Sequence, residues 1–367
     1  MPSFPKPSDP RKNLSAPVLL GSVYLGTLAA LVLLLAISGC GGDPAADAEK
    51  AEEPFSATAH LKPKTGEQRS EACLDCHEAE FELWAVSHHA HANRLLDPER
   101  DDPAFASGVH PGYRGQPASF TRKAGRYVIR TEGLSGGVEA FSPDMAFGYD
   151  PLVQYLIPFP GGRWQSTQVA WDPEKQEWFD VFDDGRRAGE WGHWTGAGMN
   201  WNSQCAWCHM TGYDKNYDPR KDAYRSRWVE QAVSCTACHG PMQGHAEAAR
   251  DPAYAAPEEP QFSPVQVRDT CFACHSRREE LTEDFFPGDD FHDHFRLQTL
   301  ENPALYYADG QIKDEVYVAG SFLQSGMHAA GVRCQDCHDP HSQRLRLPAT
   351  DNAICQQCHA PPGRLDA

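Results

Sequence analysis

Large apolar side chains are concentrated in one run of this chain and thinly spread elsewhere. Val18 to Ser38 is a 21-residue stretch without a charge, long enough to span a bilayer. Lys6, Arg11 and Lys12 precede it. Residues 41 to 68 are rich in Ala, Glu, Asp and Pro and nearly free of large apolar residues, which reads as a flexible tether. Further on, Phe81, Trp84, His88, His91 and Leu95 recur at steps of three and four and predict a helix over Glu78 to Leu96. Tyr127-Val-Ile-Arg-Thr131, Gln168-Val-Ala-Trp171 and Trp178-Phe-Asp-Val-Phe182 read as strands, punctuated by Asp172-Pro173 and Asp183-Asp184-Gly185. A short helix is expected at Val229 to Val233, and Pro260 and Pro264 break the stretch after it. With 29 prolines and 30 glycines, high coil content is expected.

Cysteine spacing changes this picture. Six copies of Cys-x-x-Cys-His occur: Cys73/Cys76/His77, Cys205/Cys208/His209, Cys235/Cys238/His239, Cys271/Cys274/His275, Cys334/Cys337/His338 and Cys355/Cys358/His359. Zinc sites also use paired Cys-x-x-Cys, but they need no histidine directly after the second cysteine. With histidine at only 17 of 367 positions, six coincidences are not chance. The pattern is that of c-type haem attachment, in which two thiols bind the porphyrin vinyl groups and the histidine binds the iron. Six covalent haems, with their iron, are therefore expected, and porphyrin must supply much of the core. Each would contribute on the order of 10 kcal/mol of burial. The 127 residues from Glu78 to Gln204 separate the first motif from the other five. The first haem is expected to sit alone and the other five to cluster.

Six motifs use 12 of the 13 cysteines. The remaining one, Cys40, ends Ile37-Ser38-Gly39-Cys40, which resembles a bacterial lipobox with Cys40 as the lipidated mature N-terminus. An uncleaved membrane anchor is the competing reading. Either exports the rest of the chain, and Gly41 favours the outer membrane. The expected organisation is a signal peptide at 1–39, a tether at 40–68, a first haem segment with its distal-ligand helix at 69–103, a β-rich insertion at 104–192 and a five-haem cluster at 193–367.

Eleven histidines lie outside the motifs: His60, His88, His89, His91, His110, His193, His245, His292, His294, His328 and His341. Six distal positions need about half of them. Met199, Met210, Met242 and Met327 are second choices. His341 is too close to His338 in sequence to reach the opposite face of the same iron, so it should serve a neighbouring haem. His245 is open to the same argument. His60 falls in the tether, and His110 reads as a loop residue.

The chain resembles the multihaem cytochrome c-554/c-552 family of exported bacterial cytochromes over about residues 70 to 360. Trp84-Ala-Val-Ser87-His88-His89 resembles the family's Trp-x-x-Ser-x-His signature behind the first haem, which implies His89 as a distal ligand. Cys238-His239-Gly240-Pro241 with His245, His193-Trp194-Thr195-Gly196 with Asn200-Trp201-Asn202, and Ser321 through His328 to His341-Ser342 resemble further family segments. The resemblance implies a multihaem cytochrome c fold, mostly short α-helices and coil packed on haems with a small β-rich insertion. With histidine supply, it makes His89, His193, His245, His294, His328 and His341 the distal candidates. Relatives often continue into further haem motifs or tetratricopeptide repeats. This chain ends nine residues after Cys358, so partners are expected on the haem body.

If every iron carries two histidines, no catalytic residue is expected and the chain relays electrons in respiratory or extracellular electron transfer. The alternative is a reductase of a small nitrogen or sulfur oxyanion at one five-coordinate haem, with Tyr306 and Tyr307 in its pocket. A structural or filament-forming cytochrome is a third reading. The Cys-x-x-Cys-Lys variant of one nitrite reductase family is absent from the sequence. Net charge is −18, and near −20 for the mature chain. Nucleic acid is thereby a poor partner, and basic or cation-bridged redox partners fit better.

Overall fold

The computed structural model describes residues 69–359 except 107, 113–116, 183, 256–260, 299 and 314–316. The signal, lipidation and tether readings and His60 lie outside the described residues. Helix α1 (Glu78–Ala85) follows the first motif. It stops well short of Leu96, because tertiary bonds capture the chain beyond it. Trp84 Nε1 donates to the Val233 carbonyl at 2.9 Å, the Ser87 hydroxyl accepts from the Ala90 N–H, and Asn93–Leu95 forms strand β1. The apolar period is real but serves a helix, a turn and a strand in succession.

Then come α2 (Pro98–Ala106), β2 (Gly108–His110), β3 (Ala118–Lys123), β4 (Arg126–Glu132), β5 (Val138–Phe141), β6 (Met145–Phe147), β7 (Gln154–Phe159), β8 (Arg163–Ser166), β9 (Val169–Asp172) and β10 (Glu177–Asp180). They build two antiparallel four-stranded sheets, ordered β1-β6-β7-β8 and β2-β3-β4-β5, and the β9–β10 hairpin. The three expected strands fall in β4, β9 and β10. The β-rich part is larger than the sequence suggested and starts earlier, at Asn93. Strand β7 explains why it was missed. Both of its faces are covered, so it reads as an apolar run rather than an alternation. Tyr155 and Ile157 pack with Phe120, Ile129 and Trp178 on one side. Leu156 packs with Met145, Phe147, Trp164, Trp201 and Met210 on the other. That second face is where the second cysteine motif docks.

The remainder is short helices and two small hairpins: α3 (Trp201–Gln204), α4 (Ala206–His209), β11 (Tyr217–Asp218), β12 (Ala223–Tyr224), α5 (Cys235–His239), α6 (Gln243–Ala248), α7 (Pro264–Phe272), β13 (Arg278–Glu280), α8 (Phe291–His294), β14 (Phe295–Leu297), α9 (Ala319–Leu323), α10 (Gly326–Ala329), α11 (Cys334–Cys337) and α12 (Ala353–Gln356). Val229–Val233 is not a helix. Glu230 bridges to Thr211 as β-structure, and its carboxylate accepts from the Ser70 N–H and hydroxyl at 3.0 and 3.1 Å. The segment is held open to anchor the chain ahead of the first motif. No helix among the described residues is long and apolar enough to cross a membrane.

Candidate haem-attachment sites

Each motif is a single helical turn. The histidine N–H bonds the first cysteine's carbonyl in five of them, at 2.9 Å for His77, His275, His338 and His359 and 3.2 Å for His209; in the third, α5 spans Cys235–His239. One turn brings residues i, i+3 and i+4 to one side, so both thiols and the imidazole of each motif face one group. The twelve thiols form no disulfides. Helices α1, α5, α6, α10, α11 and α12 bury no residue against protein, although short helices in water need a packed face to persist. A porphyrin held by the motif cysteines would supply that face.

Protein atoms enclose the twelve attachment thiols to different degrees. Cys76, Cys238, Cys355 and Cys358 are exposed, whereas the other eight are half-buried. The reason is local. Leu74 to His77 are exposed as a run, so the turn that carries Cys76 stands clear of protein. Helices α5 and α12, which carry Cys238 and Cys355, bury nothing, and Cys358 follows directly after α12. Protein atoms enclose the second motif better, where Cys205 packs at the edge of the Trp164 and Trp201 cluster. The attachment role of Cys76 therefore rests on its spacing to Cys73 and His77, not on a protein-walled pocket.

Three motif histidines look across at a second imidazole. His77 faces His245 with ring centroids 6.1 Å apart. His275 faces His89 at 6.1 Å. His239 faces His341 at 6.4 Å with planes only 12° apart. Nitrogens bound to a metal at roughly 2 Å on opposite faces put two imidazole centroids roughly 6 Å apart. The three gaps therefore fit one iron each. Burial favours the neutral form of three of these rings, His89, His239 and His275, with a lone pair free to bind metal. His89 is pushed down to about 4 by burial and then by His275. His275 is lowered by burial, then by His338 and His209, and His239 by burial, then by His341 and His77.

Two expectations are revised by this geometry. The ring facing His77 is that of His245, whereas the ring of His89 faces His275 of the fourth motif; the signature in α1 and its turn lies next to the first motif in sequence but brings its histidine to a later one. Nor is the first motif alone. Cys73 lies beside Cys235 of the third motif, and burial followed by that neighbour pushes the Cys73 thiol up to about 11. Similar contacts join Cys208 to Cys274 and Cys271 to Cys334. Cys238 acts electrostatically on Cys271 and Cys274, and Cys337 feels Cys355 and Cys358. The first motif thus neighbours the third, the second the fourth and the fourth the fifth, and Gln357 Nε2 donates to the Asp336 carbonyl at 3.2 Å between the sixth and the fifth.

The other distal candidates make different contacts. His193 is fully buried. Its Nδ1 meets the Thr195 hydroxyl at 2.8 Å, its Nε2 has no partner, and its ring neighbour is Trp194. His294 bonds Thr282 through Nδ1 and sits 3.4 Å from Asp289. His328 lies against Phe322. His110 pairs with Asp180 at 3.0 Å. His209 is positioned by its Nδ1 against the Ala92 carbonyl at 3.0 Å, with Phe147 edge-on at 5.6 Å. Tyr306 is buried and Tyr307 is 55% exposed, so they do not converge on one pocket. Partners of the ligand histidines were not legible in sequence: Tyr254, whose hydroxyl meets His245 Nδ1 at 3.1 Å, and Ala92 carry no motif.

Comparison with known proteins agrees with this chemistry. The family model for cytochrome c554 and c-prime matches residues 72–113 and 187–240, and the doubled CXXCH motif model matches 327–363. Among solved structures, the outer cell wall cytochrome OcwA is similar with a TM-score of 0.54 and 19% identity, over 80% of this chain and 67% of that one. No curated protein matches.

Proposed function

We propose that this chain, which belongs to the multihaem c-type cytochromes, is a six-haem electron relay outside the cytoplasm, tethered by a lipid on Cys40. The facing imidazole pairs carry the reading. His77/His245, His239/His341 and His275/His89 each offer one iron two nitrogens, and a six-coordinate iron keeps no position for a substrate. Bound haem supplies one-electron exchange between ferric and ferrous iron, with a potential set by its axial ligands and surroundings. The protein's own contribution is positional. The cysteines fix each macrocycle edge, and the neighbouring motifs hold the groups near one another. The second motif, beside the fourth, reads as a branch.

His193, His294 and His328 are retained as proposed ligands of the remaining irons. A lipid-anchored protein on the outer face agrees with the likeness to a cell-wall cytochrome, and electrons would pass to or from basic or cation-bridged partners. A reductase at the second motif is the other reading. It is favoured by one observation: the ring that accompanies His209 is Phe147, not a further imidazole. A pyridine haemochrome count with intact mass on the purified holoprotein tests the stoichiometry. Six haems are expected; four or fewer would contradict the reading.

A further inference from the structure

Gln343 joins two ligand histidines that are 252 positions apart in the chain. Its Oε1 accepts the backbone N–H of His89 at 3.0 Å. Its Nε2 donates to the backbone carbonyl of His341 at 2.7 Å and to that of Pro340 at 3.3 Å. One side-chain amide thus bridges the backbones of the two residues whose rings face His275 and His239. Both ends of the bridge are firmly held. The His89 carbonyl accepts from the Val233 N–H at 3.0 Å, so Gln343 completes the hydrogen bonding of that residue's backbone. His341 sits in a loop built on Asp339, whose carboxylate takes the N–H of His341 and of Ser342 and the Ser342 hydroxyl. The loop is closed by Asp339 N–H to the Arg344 carbonyl and Arg346 N–H to the Cys337 carbonyl, both 2.9 Å.

The backbone adds a second, independent observation. Gln343 has φ +55°, a left-handed conformation that favours glycine or asparagine and is strained for an ordinary residue. A glutamine is tolerated there because its side chain is committed on both sides.

The geometry points to Gln343 as a positioning residue that sets the distal imidazoles of the third and fourth haems jointly, so that the two irons change ligand geometry, and hence potential, together. It rests on the ligand reading above. Its chemistry is hydrogen-bond geometry: a ligand backbone displaced by even a few tenths of an ångström turns the imidazole plane, and low-spin iron reports that angle directly in its g-values.

The test is low-temperature EPR and a redox titration of the holoprotein. Gln343→Met keeps length and volume but loses both bonds. It is expected to shift two low-spin signals and their two midpoints together, leaving the haem count and the signal that His245→Met alters unchanged. His89→Met and His341→Met identify which two signals these are. Gln343→Gly suits the left-handed backbone but lacks the amide, and should reproduce Gln343→Met. A wild-type spectrum in either Gln343 variant, a shift of only one signal, or a uniform shift of all signals would overturn the assignment. If His89→Met and His341→Met themselves leave every low-spin signal intact, the ligand reading falls instead.

Discussion

Single residues decide two matters here, the ligand sets and the stability of the β-rich part. Asp101 is fully buried and takes both guanidinium nitrogens of Arg94 at 2.7 Å, the Asp97 N–H at 2.7 Å and the Tyr155 hydroxyl at 3.0 Å. Removing one partner of a buried pair strands the other charge, and costs about 3 kcal/mol or more. Asp101→Ala should therefore lower the denaturation midpoint followed by tryptophan fluorescence, while the haem absorbance of the folded protein stays as it is. An unchanged midpoint would mean that Arg94 finds water or another acceptor. At this scale the sequence was informative about chemistry and poor about pairing. The twelve cysteines and six histidines of the motifs are legible because covalent attachment demands fixed local spacing. How far protein encloses each thiol is not, and Cys76 stands more open than Cys73 of the same motif. Which imidazole meets which motif depends on contacts such as His89 N–H to Gln343, and no local pattern encodes a bond over that separation.

Elements behave in the same way. The chain around β4 and β10 was readable because these strands keep partly exposed positions, and β9, buried along its length, because Asp172-Pro173 marks its end. Strand β7 and the β1–β6 pairing were not, because a sheet buried on both sides loses its alternation and β1 borrows residues from a helix-like period. Val229–Val233 was misread as a helix because its role, holding Ser70 through Glu230, is tertiary. The β3–β4 hairpin offers a direct check on local chemistry. Its two-residue turn is Ala124-Gly125, with φ of +47° and +78°, the left-handed pair of a type I′ turn, for which Asn-Gly is preferred. Ala124→Asn should stabilise the protein by about 0.5–1 kcal/mol, seen as a higher melting temperature with unchanged haem spectra. A lower melting temperature would mean that the turn is not of this type in solution.

On the scale of the whole molecule, a β-rich body fills the interval between the first two motifs, and its β1-β6-β7-β8 sheet presents one face to the second motif. The motifs themselves lie near one another. The strongly negative charge, −18 for the full sequence, should steer basic partners. Exposed charges are screened over about 10 Å at 0.1 M salt, so the association rate with a basic redox partner is expected to fall as salt rises. A salt-insensitive rate, measured by stopped flow, would remove electrostatics from partner choice. Most direct for the central claim is quantitative low-temperature EPR of the oxidised holoprotein against its haem count. The three facing imidazole pairs predict separate low-spin signals for the irons of His77/His245, His239/His341 and His275/His89, and the proposed ligands His193, His294 and His328 extend low-spin iron to the other three. A spectrum dominated by high-spin iron would contradict the relay, and a single high-spin equivalent would move the second motif to the reductase reading.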